Sequence, residues 1–379
     1  MQLSVSESSR APSAVHHPSV TVIVPTYREA QNIPLLLARI GDVRRAHDLD
    51  LDVLLMDDDS ADGSVEAVAA FGEPWARIIV RKENPGLSAA VLDGLRAARK
   101  DIVVVMDADL SHPPEKIPTM LRALEADFRF VLGSRYVPGA GTDDAWGFFR
   151  WLNSRVATLL ARPLTRVRDP MSGFFAMRRA ELESCAPLNP VGYKIGLELI
   201  VKCGIDNVGE IPILFVDRRF GESKLTLRQQ LLYLKHLRRL YIHKFGTWGH
   251  FVQFAMVGAS GVAVNLAVLT ALLALGVGES VSVAAAIAVS MVSNFVLNRR
   301  FTFDYARGGN IWKQFAGFCA ASSIGALINY VTTISFARAY PEAPLQIGAL
   351  LGVVAGLGFN FLANRFVVFR KRWIRPRQG

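Results

Sequence analysis

Between Ser19 and about residue 245, short apolar runs alternate with longer stretches in which apolar positions recur every three or four residues. The runs are SVTVIVP (19–25), LDVLLM (51–56), residues 77–81, DIVVVM (101–106) and FRFVLGS (128–134). Their brevity and β-branched content predict strands, and the apolar runs 51–56 and 103–106 predict buried ones, the latter covered on both faces. IPLLLARI (33–40), a stretch starting near Ser64 and PGLSAAVLDGLRAARK (85–100) predict the helices between them. Strands separated by helices need right-handed crossovers, so the expected fold of this half is α/β with a parallel sheet. Ligands then bind beyond the carboxyl ends of the strands.

From Phe251 the pattern changes, because charged positions shrink to a few clusters between long apolar stretches. Residues 251–277 carry no charge and can cross a bilayer core of about 30 Å at about 1.5 Å per residue. Four spans are expected, near 251–275, 280–298, 314–337 and 345–364. NFVLNRRFTF (294–303) returns as NFLANRFVVF (360–369), and QFAMVG (253–258) as QFAGFC (314–319), which predicts two equivalent helical hairpins. Asn265, Asn294, Asn298, Asn329, Asn360 and Asn364 lie within or at the spans, where they can serve as interhelical hydrogen bonds or as a headgroup path. The expected organisation is a disordered 1–18, an α/β domain over 19–225, amphipathic interfacial helices over 226–247 and a membrane domain over 248–373.

Charge sets the orientation. Lys235, Arg238, Arg239 and Lys244 precede the first span, Arg299, Arg300, Arg307 and Lys313 lie between the second and third, and Arg370, Lys371, Arg372, Arg375 and Arg377 follow the fourth. The other two loops hold only Arg338, so the positive-inside rule predicts a multi-pass protein with both termini and the α/β half in the cytosol. TLRQQLLYLKHLRRLYIHKF (226–245) mixes Leu and Tyr with Lys and Arg at helical spacing and should lie in the membrane interface. The net charge of +10 over 379 residues sits beside apolar segments, which points to anionic lipid headgroups and away from a nucleic acid polymer. No apolar core of a signal peptide is visible in residues 1–18, so none is expected, and the plasma membrane of a prokaryote is the expected location. Cys185, Cys203 and Cys319 are odd in number and lack metal spacing, which predicts reduced thiols of minor structural role.

The chemistry gathers at strand ends. DADLSHPPE places Asp107 and Asp109 at the end of an apolar run, where alternate carboxylates can turn toward one hard cation carrying a diphosphate, Mg²⁺ or Mn²⁺. Alone, Asp-x-Asp marks a solvated turn just as well, but PTYRE and DDDS also follow strand ends and converge on the same edge. Arg135 follows the run 128–134, and its fork suits phosphate. Arg150 and Ser154, four residues apart on the expected helix FFRWLNSRVATLLA, share one face. RRFGESKL reads as a mobile basic turn in which Arg218, Arg219 and Lys224 can neutralise a diphosphate and close over it.

PTYRE, DDDSADGS, NPGLSAAVLDGL, DADLSHPPE, GSRY, DPMSGFFAMRR, GYKIGLEL and RRFGESKL, in that order over about 20–235, resemble family 2 glycosyltransferases of the Rossmann-like GT-A fold. Within them the blocks are most similar to the polyprenyl-phosphate (dolichol-phosphate) mannose synthases. The C-terminal half resembles the GtrA-type four-helix membrane domain. The resemblance implies inverting transfer of a sugar from a nucleoside diphosphate donor to a lipid phosphate. It places the nucleotide sugar near Pro25, Tyr27, Glu29, Met56, Asp58, Asp107, Ala108, Asp109, Ser111, Arg135, Arg218 and Lys224, the metal at Asp107, Asp109 and Ser111, the acceptor phosphate at Arg135, Arg150 and Ser154, and catalytic roles at Asp109, Arg135, Arg150 and Ser154. Relatives commonly carry Gln where this chain has Ser111, so Ser111 either reaches the metal through water or leaves it held more weakly. SGFFAMRR and DADLSHPPE are closer to mannosyl than to glucosyl enzymes, which favours GDP-mannose over UDP-glucose. The competing class is a flippase for lipid-linked sugars with a regulatory nucleotide-sugar module, and intact metal and phosphate groups favour the enzyme.

Overall fold

The computed structural model describes residues 19–142, 148–189, 192, 194–215, 227–343 and 345–370, which fall into two compact units, Met1–Lys244 and Phe245–Gly379. Residues 1–18, expected to be disordered, lie outside the described residues.

The first unit is built on strands β1 (Val20–Thr26), β2 (Leu51–Asp57), β3 (Ala76–Val80), β4 (Ile102–Val105), β5 (Phe130–Ser134), β6 (Gly141–Thr142), β7 (Phe175–Arg178), β8 (Val208–Pro212) and β9 (Leu214–Phe215). Its helices are α1 (Ile33–Ala46), α2 (Ser64–Phe71), α3 (Leu87–Ala97), α4 (Ile117–Glu125), α5 (Phe148–Ala161), α6 (Ile195–Lys202) and α7 (Leu227–Phe245). Seven strands form one sheet in the order β3-β2-β1-β4-β7-β5-β8, while β6 and β9 pair separately. Alternate residues feed two cores: Val22, Val53 and Val104 face α1 and α4, whereas Ile23, Leu54 and Val103 face α3 and α6. Burial on both faces explains why β1, β2, β4 and β5 read as continuous apolar runs, whereas edge strand β3 leaves Ile79 and Val80 exposed. Gly94 of α3 lets the helix press on β1, since a Cβ there would stand 2.4 Å from Ile23 Cγ2.

Two expectations need correction. The sheet is mixed, because β7 enters between β4 and β5 antiparallel to both. A turn reverses the chain before it, with Ser172 Oγ donating to Gly133 O at 2.6 Å and Gly133 N to Phe174 O at 2.9 Å. Cys185 and Cys203, read as reduced thiols, are joined in a disulfide. The backbone bond from Ala186 N to Lys202 O brings the end of α6 against the segment after β7, with the two cysteine Cα atoms 4.0 Å apart. Cys319 is free.

One face of α7 packs on α5 and α6 through Leu237, Leu240 and Tyr233. Tyr233 and Tyr241 hydroxyls donate to Ala157 O and Leu160 O, each at 2.7 Å, and Lys244 Nζ to Leu164 O at 2.6 Å. Leu231 and Leu234 remain exposed on α7, as do Leu152, Val156 and Leu159 on α5, the last of them 69% exposed.

Among the described residues the second unit holds α8 (Thr247–Ala274), α9 (Glu279–Leu297), α10 (Ile311–Ala339) and α11 (Leu345–Ala363), with four helical stretches long and apolar enough to cross a membrane. Helices within each hairpin cross closely at glycine: a Cβ on Gly261 would meet Asn294 at 2.3 Å, and one on Gly325 would meet Asn360 at 2.4 Å. Glycine thereby admits an amide at each crossing.

Candidate active site

β2, β1 and β4 lie side by side, with Thr26 opposite Asp57 and Ile23 opposite Val105, so the loops leaving all three open at one edge of the sheet. After β1 the chain turns through Arg28, whose φ of 61° is rare for a side-chain-bearing residue. Its N–H donates to Ser60 Oγ at 2.9 Å, which ties this loop to the one after β2. Tyr27 beside it is 44% exposed, and Glu29 accepts from Asn32 Nδ2 at 2.6 Å. Pro25 pairs with Met56 across the strands. Met56 and Ala108 are buried in the two cores, so each has only its backbone to offer a ligand.

The three aspartates after β2 divide their work. Buried Asp57 fastens the loop, accepting from Ser60 N at 2.9 Å and Ser60 Oγ at 2.5 Å. Asp58 forms an ion pair with buried Arg81 and accepts from Gly86 N at 2.6 Å. Gly86 presents that N–H from a φ of +140°, which a residue with a side chain rarely adopts. Arg81, just past β3, also donates to Asp93 at 2.9 Å and to Asn84 O at 3.1 Å. Nothing local in the sequence marks its role, although it stands three residues before NPGLSAAVLDGL.

At the end of β4, Asp109 is buried and accepts from Ser111 N at 3.1 Å and from Ser111 Oγ at 2.6 Å. Ser111 therefore orients Asp109 through its hydroxyl. Asp107 donates its N–H to His112 Nδ1 at 3.0 Å. His112 is buried against Phe174 and Phe215, which makes it a brace for the loop. The chain before β7 approaches closely, since a Cβ on Gly173 would lie 3.6 Å from both Asp107 carboxylate oxygens.

Arg135 is not an isolated fork. Its backbone N, Nε and Nη2 donate to fully buried Asp169 at 3.0, 2.8 and 2.8 Å. Burial alone would raise the Asp169 pKa, but the hydrogen bond and charge of Arg135 prevail and hold it below the usual carboxylate value. Lys194, which donates to Met171 O at 2.6 Å, joins this group. Burial first, and then the charge of Arg135, pull its pKa down to about 7, against the opposing influence of Asp169 and Asp107. Asp107, Arg135, Asp169 and Lys194 thus form one charged cluster at the mouth of β4 and β5. Asp169 and Lys194 stood unassigned within the quoted blocks DPMSGFFAMRR and GYKIGLEL; their only signal was a charge inside an apolar motif.

The cluster reaches α5 through Tyr136, whose hydroxyl is 2.7 Å from Ser154 Oγ and whose ring lies under both Arg135 and Arg155. Arg150 stands one turn before Ser154 on α5. Arg218, Arg219 and Lys224, expected to cover the diphosphate, lie outside the described residues.

Residues 21–185 match Glycosyl transferase family 2, and residues 253–373 match the GtrA/DPMS transmembrane domain. The dolichol-phosphate mannosyltransferase of Pyrococcus furiosus is 36% identical over 355 residues, covering 92% of this chain and 99% of that protein. The Saccharomyces cerevisiae dolichol-phosphate mannosyltransferase is 43% identical over 236 residues, covering 60% of this chain and 88% of that one. Among solved structures, glucosyl-3-phosphoglycerate synthase from Mycobacterium tuberculosis, in complex with Mn²⁺, UDP and phosphoglyceric acid, is 21% identical, covers 60% of this chain and 79% of that one, and has a TM-score of 0.47. With a 36% identical relative spanning almost the whole of both chains and both domains matched in order, this chain belongs to the dolichol-phosphate mannosyltransferase family and is a multi-pass membrane glycosyltransferase.

Proposed function

We propose that the protein transfers mannose from GDP-mannose to the phosphate of a polyprenol such as dolichol, with inversion at the anomeric carbon, at the cytosolic face of the membrane. The observation that carries this reading is the link from a paired-carboxylate loop to an apolar helix. Asp107 and Asp109 lie in the same unit as the Arg135–Asp169–Lys194 cluster, and Tyr136 and Ser154 connect that cluster to α5 with its exposed leucines.

Asp107 and Asp109 suit a hard divalent cation such as Mg²⁺ or Mn²⁺, and among the described residues no three His, Cys, Asp or Glu side chains converge. The remaining coordination positions would fall to the donor diphosphate, which fits a cation that arrives with its nucleotide. Such an ion supplies charge neutralisation for the leaving GDP.

The chain's own residues supply position and field. Tyr27 offers a ring face to the base, and Glu29 can accept from base or ribose donors. Asp58, held by Arg81, frames that pocket. A phosphate monoester with a second pKa of about 6 is already an anion at neutral pH and needs no general base. One of its oxygens forms the bond to the anomeric carbon as the bond from that carbon to the diphosphate breaks, and GDP leaves with the electron pair. Arg150 and Ser154 orient this nucleophile while the Arg135–Asp169 pair keeps the surrounding field fixed. Arg218 and Lys224 are assigned to the diphosphate on their sequence alone. The exposed Leu231 and Leu234 of α7, with those of α5, lie in the interface so that the lipid phosphate meets the crevice at headgroup depth.

The test is direct. Full-length protein in detergent, incubated with polyprenyl phosphate, Mn²⁺ and labelled sugar nucleotides, should give polyprenyl-phosphate mannose from GDP-mannose. Product from UDP-glucose alone would overturn the donor assignment. No lipid product from any donor would return the field to a flippase with a regulatory nucleotide module.

A further inference from the structure

The second unit repeats its structure as well as its sequence. α9 and α11 both run into a wide turn, Asn298–Thr302 and Asn364–Val368, of the kind that often marks functional positions in helices. In each, the leading asparagine donates Nδ2 to the carbonyl four residues earlier, Asn298 to Asn294 at 3.0 Å and Asn364 to Asn360 at 2.8 Å. Phe303 and Phe369 close the two turns with backbone bonds to Asn298 O and Asn364 O at 2.8 and 2.7 Å. Those phenylalanines are fully buried and stack on each other with centroids 4.8 Å apart, so the repeats meet back to back. Arg299 and Arg365 hold equivalent places in them.

The two arginines have different surroundings. Arg299 donates from Nε to Gln314 Oε1 at 2.8 Å and from Nη2 to Arg307 O at 2.5 Å, while Gln314 Nε2 donates to Ala306 O at 2.8 Å. Its guanidinium closes the turn between the hairpins. Arg365 has Nε and Nη1 buried with no acceptor among the described residues. The rings of Phe361 and Phe366 lie 6.0 and 5.6 Å from its guanidinium carbon, and Tyr305 is within its electrostatic reach. Aromatic faces attract a cation but do not replace acceptors for its N–H groups. Phe366 and Val367 on the same turn are 57% and 75% exposed, an apolar surface suited to a hydrocarbon chain. The turn also lies at the span ends that carry Arg300, Arg307 and Arg370, the depth at which lipid phosphates sit. The ligand that matches unpaired guanidinium donors beside an exposed apolar ring and valine has anionic oxygens joined to an apolar tail.

We propose that Arg365 anchors a binding site for a phosphate ester carried on an apolar tail, built from residues of the membrane unit. Phospholipids and polyprenyl phosphates share this chemistry.

Native mass spectrometry of the full chain in maltoside micelles separates the sources, with a phosphatidylglycerol, farnesyl phosphate and inorganic phosphate as the three probes. The wild type should retain one phosphatidylglycerol, or one farnesyl phosphate beyond the one assigned to the transferase acceptor site, above background. Arg365→Gln should weaken it on the order of ten- to a hundred-fold, the loss of one charge-assisted phosphate contact, and Arg365→Lys should recover part of that. Retention of the phospholipid marks a structural lipid site, and a second farnesyl phosphate, lost in Arg365→Gln but kept in Arg150→Ala, marks a second acceptor site; either supports the proposal. A wild type that retains neither lipid, inorganic phosphate bound as well as both, or equal retention by Arg365→Gln would overturn it. Because the wild-type measurement stands alone, a misfolded variant leaves the proposal refutable.

Discussion

Replacing Asp169 by Asn isolates the ion pair at the centre of the transferase unit. The Asp169 side chain is fully buried, that of Arg135 is 11% exposed, and three hydrogen bonds join them. The backbone around Asp169 has independent support, since Arg168 N and Asp169 N donate to Glu210 at 2.9 and 3.0 Å. Asp169→Asn should therefore keep the loop while removing the buried carboxylate charge that faces the Arg135 guanidinium and Lys194. Breaking one side of a buried pair costs about 3–5 kcal/mol. At roughly 2–4 °C per kcal/mol for a domain of this size, the melting temperature of the transferase unit should fall by roughly 6–20 °C.

The pH dependence has a defined sign. The Asp169 pKa is lowered on folding, so the pair contributes stability that is present above the unfolded carboxylate value and is lost as pH falls through the folded one. Thermal melts of the full chain in detergent, followed by hydrogen exchange at β5 and β7, should show a wild-type advantage that is still present at about pH 5 and shrinks in stronger acid. Arg135→Met with Asp169→Leu should recover much of the stability but not the transfer activity, because it removes the unpaired charge and the fixed field together. A single variant melting within about 2 °C of wild type, or an advantage already gone at about pH 5, would refute the reasoning.

Lys194→Met should be most stabilising in weak acid: the folded pKa is about 7 against 10.5 unfolded, so the wild type gains stability relative to the variant as pH rises between those values, read by paired melts at pH 6 and 9. Ser111→Ala frees the Asp109 carboxylate of a hydroxyl donor and should raise the metal concentration for half-maximal rate by roughly two- to ten-fold, the worth of one such bond; an unchanged requirement would remove Ser111 from any metal role. Arg150→Ala should raise the KM for lipid phosphate by roughly ten- to a hundred-fold while calorimetry with GDP-mannose stays level, and equal loss of donor affinity would move Arg150 to the diphosphate.

The strands, their two-sided burial and the convergence of PTYRE, DDDS and DADLS on one edge were legible because periodicity and strand ends are local properties. Partners were not, because they are chosen across the chain. Arg135 advertises a fork suited to phosphate, yet Asp169, 34 positions on, takes it. Asp58 reads as a nucleotide contact and also pairs with Arg81, 23 positions on. The direction of β7 likewise depends on a turn whose bonds reach back to β5, and nothing in FFAMRR itself reports it. The membrane unit makes the same point from within, for there two nearly identical segments can be compared. Residues 294–303 and 360–369 announce a repeat, and the repeat correctly implies equivalent helices. What distinguishes Arg299 from Arg365 is the turn of Ala306, Arg307 and Gln314 that reaches only the first of them. A residue's type and spacing therefore state which chemistry it can perform, while its neighbours decide whether that capacity is used for structure or left for a ligand. For a cation in either unit, the question to ask of the structure is whether an acceptor already holds it.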